Sequence, residues 1–222
     1  MIGIIKSYLK KTSQYLDQRL YKNKDFIIIS NNCWGAEFYK RLKLSYNTPF
    51  VGLFIFGPDY LRLLENFDHY LGLELNFKQE SKWIKGPIKY PIGILDDIEI
   101  HFMHYKDESE ARSKWVRRLA RMNEVTDKNK YFFKICDRDL TDVNIIAKFH
   151  DLSFKNKISF GINELNIQNH IKINENENNQ SVPDGIKLYK HSYKYIDVLE
   201  WVNSGRITKN IYSKIKSVAN IV

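Results

Sequence analysis

The feature that most constrains this chain is the run Phe26–Ser30, FIIIS, followed at once by Asn31-Asn32-Cys33-Trp34-Gly35. Four bulky apolar residues in a row leave neither face of a strand polar. Such a run suits a strand covered on both sides, as in a parallel sheet. The polar turn then leads into a helix from about Ala36 to Leu42, and strand, turn, helix is the opening of a βα unit. Val51–Phe56 (VGLFIF) reads as a second buried strand, closed by Gly57-Pro58-Asp59. Pro58 can open a helix that runs to about Leu71, with Leu61, Leu64, Asp68 and Leu71 in helical register. Glycine and proline punctuate residues 86–93, and Ile98–Tyr105 is the third expected strand. Tyr131–Cys136 (YFFKIC) and Lys157–Phe160 are the fourth and fifth. Between them lies a helix capped by Thr141 or Asp142 and ending near His150. Asn174–Gln180 (NENENNQ) is a polar surface loop, and a final helix begins near Tyr195 and carries Leu199 and Trp201. The alternation predicts an α/β fold, a layered sheet of mostly short buried strands alternating with helices. With no internal repeat and no long linker, residues 1–222 are expected to form a single domain.

Residues 1–22 are expected to form an amphipathic N-terminal helix, with Ile2, Ile5, Leu9, Leu16 and Leu20 set among lysines. Its apolar side is expected to pack on the domain; the alternative is a helix lying on a membrane surface. The chain carries 35 Lys+Arg against 26 Asp+Glu, a net charge of +9, which favours anionic partners such as nucleotides, phosphorylated lipids or acidic glycans. Nucleic acid is disfavoured, because the abundant tyrosines and phenylalanines follow no RNA-recognition pattern. Cys33 and Cys136 fit neither a zinc motif nor a disulfide framework, so a reducing cytoplasm is the expected setting. No apolar run approaches the roughly 20 residues that span a bilayer, and no signal-peptide pattern opens the chain.

Three groups of residues could carry chemistry. Lys114, Arg117, Arg118 and Arg121 repeat at i, i+3, i+4 and i+7 and so share one helix face, suited to phosphate. That helix follows Asp107 or Ser109 as cap and has Glu108 and Glu110 in its first turn. In the strand before it, period-two alternation separates His101 from His104. His104, nearer the strand end, is the candidate general base. Asn31, Asn32 and Trp34 lie at a strand's carboxyl end, where ligands gather in α/β sheets, and could shape a sugar or nucleotide pocket. Asp137 and Asp139 flank Arg138 after an apolar strand. They could hold a Mg²⁺ or Mn²⁺ ion on a diphosphate, or simply enter the next helix as caps and ion-pair partners. Dinucleotide-binding, P-loop, zinc-protease and serine-hydrolase motifs are absent.

The segments IISNNCWGAEFYKRLKLSYNTPFVGLFIFGPDYLRLLENFDHYL, YPIGILDDIEIHFMHYKDESEARSKWVRRLARMN and FKNKISF resemble the bacterial family catalogued as domain of unknown function 1919. Its members are often labelled exopolysaccharide or capsule biosynthesis proteins. The resemblance implies a bacterial protein, cytoplasmic or membrane-peripheral, acting in surface-polysaccharide assembly; it transfers no catalytic residues. Joined to the residues above, it leads to the expectation of a transferase acting on a nucleotide-sugar donor or a lipid-linked glycan. The alternatives are a non-catalytic binding component of a polysaccharide assembly complex and an acyltransferase, the latter disfavoured by the lack of an H-x-x-x-x-D motif.

Overall fold

The computed structural model describes residues 2–219 and 221–222. Helix α1 (Ile2–Leu20) leads into strand β1 (Ile27–Ser30) and helix α2 (Trp34–Leu42). Helices α3 (Gly57–Glu65) and α4 (Phe67–Gly72) precede a ribbon of β2 (Asn76–Lys78), β3 (Ile92–Leu95) and β4 (Ile98–His101). Then follow α5 (Glu108–Asn123), β5 (Tyr131–Cys136), α6 (Val143–Asp151), β6 (Asn156–Gly161) and β7 (His170–Lys172). The last elements are α7 (Gly185–Ser192), α8 (Val198–Ser204) and α9 (Ile211–Val218).

Strands β1, β5, β6 and β7 form a parallel sheet in the order β1-β5-β6-β7, and β2, β3 and β4 form a separate antiparallel sheet. The expected α/β class therefore holds. The apolar runs bury both faces by alternation. Ile27, Ile29, Tyr131, Phe133 and Ile135 join the core made with α3, α4, α5 and the ribbon. Phe26, Ile28, Phe132, Cys136, Ile158 and Phe160 join a second core with α2, α7 and α8. Burying a side chain of this kind contributes roughly 1.5–3 kcal/mol. The caps also follow the sequence: Asp107 accepts from the Glu110 backbone N–H and Asp142 from that of Ile145, each at 2.8 Å.

Four expectations change. Val51–Phe56 is not a regular strand. Gly52 takes a φ of +74°, which turns the chain, and a Cβ there would sit 3.1 Å from the Tyr105 ring. The segment instead ties the two sheets together, since Phe54 bridges His101 and the Ile55 N–H donates to the Asn31 carbonyl at 2.9 Å. The strand expected over Ile98–Tyr105 ends at His101, where a tight turn begins with the Met103 N–H donating to the His101 carbonyl. His101 is buried and stacked on Phe54, 4.6 Å between ring centres, while His104 stands exposed in the turn. The helix after Pro58 breaks at Asn66, whose φ and ψ of −128° and 47° are not helical. Finally, α1 does not pack its apolar side on the domain. Ser13, Asp17 and Tyr21 face inward, and Ile5, Leu9, Leu16 and Leu20 are exposed; the side chain of Ile2 lies outside the described residues. The polar inner face is possible because Asp17 accepts from Arg41 Nε at 2.6 Å and from Lys216 Nζ at 3.0 Å.

Candidate functional site

A cleft opens beyond the carboxyl end of β1, floored by the turn that starts α2. One lobe, of about 460 Å³, is lined by Asn32, Cys33, Phe54, Met103, His104, Arg138, Asp139 and the start of α7 at Asp184-Gly185-Ile186. A second lobe, of about 230 Å³, is lined by Tyr46, Tyr105, Lys40, Lys114 and Arg118 among others. Cys33, His104 and Ile186 belong to the walls of both, so the lobes adjoin at His104. The larger lobe is in the range of small-molecule sites. Gly185 permits the close approach of α7 to α2, since a Cβ there would lie 2.7 Å from both Asn32 Oδ1 and the Trp34 nitrogen.

The floor is a buried polar cluster. Lys134, on β5 and fully enclosed, donates through Nζ to Asn31 Oδ1 and Asn32 Oδ1, both at 3.1 Å. Asn32 Oδ1 also accepts from the Trp34 N–H at 3.2 Å, and Asn32 Nδ2 reaches Cys136 Sγ at 3.3 Å. Burial lowers the pKa of Lys134 from the ordinary lysine range. Cys33 Sγ lies 3.9 Å from the Leu53 carbonyl, and burial pushes its thiol up to about 11, which keeps it protonated and a poor nucleophile.

Asp139 and Leu140 both sit in the left-handed region, with φ of 59° and 61°. Two successive residues there without glycine store strain, which accumulates at functional sites. The Gly57 N–H holds the turn by donating to the Asp139 carbonyl at 2.8 Å. Burial raises the pKa of the Asp139 carboxyl, against the opposing pull of Arg138 and Lys134. Arg138 is itself anchored by Glu177 and the Val182 carbonyl.

In the other lobe, Arg118 is buried between two tyrosines. Its Nη1 donates to Tyr105 Oη at 2.6 Å, and its Cζ lies 4.9 Å from the Tyr46 ring centre. Tyr105 in turn donates to the Val51 carbonyl. Among the described residues, the hydrogen bonds of Arg118 all leave from Nη1, so Nε and Nη2 are unengaged. Lys114 contacts Glu110 at 2.5 Å, and Lys40 contacts Glu37 at 2.6 Å; both amines are partly exposed.

The expected site residues thus divide. Asn32, His104, Asp139, Lys114 and Arg118 meet at the two lobes. Asn31 lies beneath them, fully buried. Trp34 is in the core rather than a wall: its Nε1 donates to Ser192 Oγ at 2.9 Å and it packs on Phe160, Tyr189 and Trp201. Arg117 lines an open groove with Phe77 and Arg112, and Arg121 reaches the Tyr46 carbonyl at 3.2 Å beside Glu124 and Lys130. The expected metal pair does not come together. The Asp137 carboxylate is occupied by two backbone donors, Ile162 N–H at 2.7 Å and Val182 N–H at 2.9 Å, while Asp139 lines the cleft without it. Among the described residues no group of three or more His, Cys, Asp or Glu side chains is arranged to hold a metal.

The family described as Domain of unknown function (DUF1919) matches residues 4–203. The chain belongs to that family. A relative from Haemophilus influenzae, described as an uncharacterized protein, is 39% identical over 160 residues, covering 70% of this chain and 73% of the relative. In this family member, the residues that sequence reasoning passed over are Lys134, Lys40 and the start of α7. Each carried a signal. Lys134 is the lone cation inside an otherwise apolar strand, and Pro183-Asp184-Gly185 is a helix entry, confirmed by Asp184 Oδ1 accepting from Ile186 and Lys187 N–H at 3.0 Å.

Proposed function

We propose that this protein is a transferase of surface-polysaccharide assembly that acts on a phosphorylated sugar, carried by a nucleotide or a lipid. The observation that supports this reading is the single cleft in which His104 joins a cation-lined lobe to a lobe lined by Asn32 and Asp139. The polysaccharide setting comes from the family resemblance. Phosphate oxygens suit the cation-lined lobe, where Arg118 keeps a free edge of its guanidinium and Lys40 and Lys114 add charge. The sugar then lies in the lobe lined by Asn32 and Asp139, with its reacting carbon near the shared wall at His104. In the transfer step the bond from that carbon to the phosphate oxygen breaks, and a bond to the acceptor oxygen forms. The acceptor hydroxyl proton passes to the imidazole of His104, and the phosphate departs with the electron pair. The side chain of His104 is exposed and makes no hydrogen bond among the described residues, so its ring nitrogens are free for that proton.

The test is a screen of nucleotide-sugars and polyprenyl phosphates by thermal shift, followed by mass spectrometry of donor and acceptor mixtures. A ligand at 100 times its dissociation constant stabilises the fold by about 2.7 kcal/mol. Turnover is expected for the wild type and its loss for His104→Gln, with donor binding retained. Binding without turnover would replace the transferase reading with that of a binding component. No stabilisation by any phosphorylated ligand would reject both.

A further inference from the structure

We infer that helix α1 rests on an anionic lipid surface. The evidence is the outward face of this helix. Ile4, Tyr8 and Tyr15, and beside them Ile5, Leu9, Leu16 and Leu20, recur at helical spacing and form one broad stripe. Ile4 is 77% exposed, Tyr8 71%, and Ile5 and Tyr15 53% each. The opposite side, Ser13 and Asp17, carries the contacts to the domain. A water-soluble helix normally turns its apolar stripe inward; here the polar side is inward and the apolar side is bare. Helix α9 repeats the arrangement. Its buried residues are Ser213 and Lys216, while Ile211, Ile215 and Val218, at i, i+4 and i+7, are 75%, 55% and 89% exposed. The two helices are joined by the Lys216–Asp17 ion pair and by Tyr212 Oη donating to the Ser13 carbonyl at 3.1 Å.

Charge selects the partner. Helix α1 carries Lys6, Lys11 and Arg19, with Lys10 turned toward Glu37 and Arg41, and its one acidic residue, Asp17, is consumed inside by Arg41 and Lys216. Residues 201–222 contain no Asp or Glu and add Arg206, Lys209 and Lys214. A second copy of the chain would bring these like charges face to face. An anionic bilayer takes both features at once: the apolar stripe enters the headgroup boundary by roughly 5–10 Å, and the flanking lysines meet lipid phosphate. Among the described residues no helix is long and apolar enough to cross a membrane, so this is contact with a surface.

The experiment is flotation of the full chain with vesicles of phosphatidylcholine, with and without phosphatidylglycerol, alongside analytical ultracentrifugation without lipid. Binding is expected only with phosphatidylglycerol, and added salt should release it. The pair Ile5→Ser and Leu9→Ser should lower partitioning at least tenfold. The pair Lys6→Glu and Lys11→Glu should lower it by about tenfold or more. All four side chains are exposed, so the thermal midpoint of either pair should match the wild type. Failure to float with anionic vesicles, or equal flotation with neutral ones, would overturn the inference. A wild-type dimer that Ile5→Ser and Leu9→Ser dissolve, with no vesicle binding, would assign the stripe to a second copy instead.

Discussion

Lys134 Nζ lies 3.1 Å from Asn32 Oδ1, so a fully enclosed amine fixes the amide that floors the cleft. The same amine holds Asn31 Oδ1 at 3.1 Å, and both amide nitrogens turn toward Cys136 Sγ, at 3.3 Å from Asn32 and 3.9 Å from Asn31. A buried cation left without acceptors would be expelled or neutralised; two amide oxygens make it tolerable. The arrangement couples the middle of the parallel sheet to the turn that begins α2, and through Asn32 to the wall of the site.

Replacing Lys134 with methionine tests that coupling. The exchange keeps the volume and removes the charge, but strips a donor from two buried oxygens. A net loss of about 1–3 kcal/mol is expected. The pH dependence is more specific. Burial depresses the folded pKa of Lys134 below its ordinary 10.5, so between those two values the unfolded chain binds the extra proton. The destabilising effect of the buried charge is full below the folded pKa and lifts as pH rises toward 10.5. Urea unfolding from pH 7 to 10 should show this upward contribution in the wild type and lose it in Lys134→Met.

Arg118→Lys separates a phosphate-binding fork from a mere structural cation. Lysine keeps the charge and can reach Tyr105 Oη, but cannot present Nε and Nη2 to a second acceptor. Affinity for a phosphorylated ligand found in the thermal-shift screen should fall by roughly 10- to 150-fold, in line with 1.5–3 kcal/mol for a hydrogen bond to a charged group. Titration calorimetry measures it, with Arg117→Lys, on the outer groove, expected to change nothing.

Much of this arrangement is legible in the sequence where chemistry is local. FIIIS and YFFKIC have one reading, a strand apolar on both faces, and Asp107 and Asp142 precede helices as caps should. His104, Asn32 and Asp139 stand close together because each follows the end of an apolar strand, and Arg118 joins them from the middle of α5. What the sequence hides is tertiary. Trp34 looks like a pocket residue beside a glycine, yet its indole is held in the core by Ser192, 158 residues away. Asp137 and Asp139 look equivalent, but backbone N–H groups from residues 162 and 182 claim only the first. Strands β2 and β7 have three residues each and carry too little pattern to announce themselves.

A second pH effect arises at β6. His150 Nε2 and His170 Nδ1 both contact Ser159 Oγ, at 2.7 and 2.8 Å. Burial, then the neighbouring charges of Lys157 and His170, depress the pKa of His150 from 6.5 to about 4. Between those values the unfolded chain holds one proton more than the folded one. The stabilisation is therefore complete above pH 6.5 and lost as pH falls toward 4. Because the ring is only half-buried, the effect is about 1–2 kcal/mol after screening. Thermal melts from pH 7 to 4 should show a shallower acid limb for His150→Gln than for the wild type.

The strongest single dependence should lie far from the cleft, at Asp17. Its carboxylate is the common partner of Arg41 and Lys216, so it joins α1, α2 and α9. Arg41 also donates to the Ile221 carbonyl at 2.9 Å and to Ser13 Oγ. Asp17→Asn leaves two enclosed cations facing each other without an anion, and removing one partner of a buried pair costs about 3–5 kcal/mol. For a chain of this size each kcal/mol moves the thermal midpoint by roughly 2–4 °C, so a fall of order 10 °C is expected. The loss should come from the stranded charges and not from the missing carboxylate. Replacing all three, Asp17→Leu, Arg41→Leu and Lys216→Met, should therefore restore part of the stability that Asp17→Asn alone removes. If the triple variant melts lower than Asp17→Asn, packing and hydrogen bonding by Arg41 outweigh the relief of the buried charge, and the ion triad is a stabilising feature in its own right.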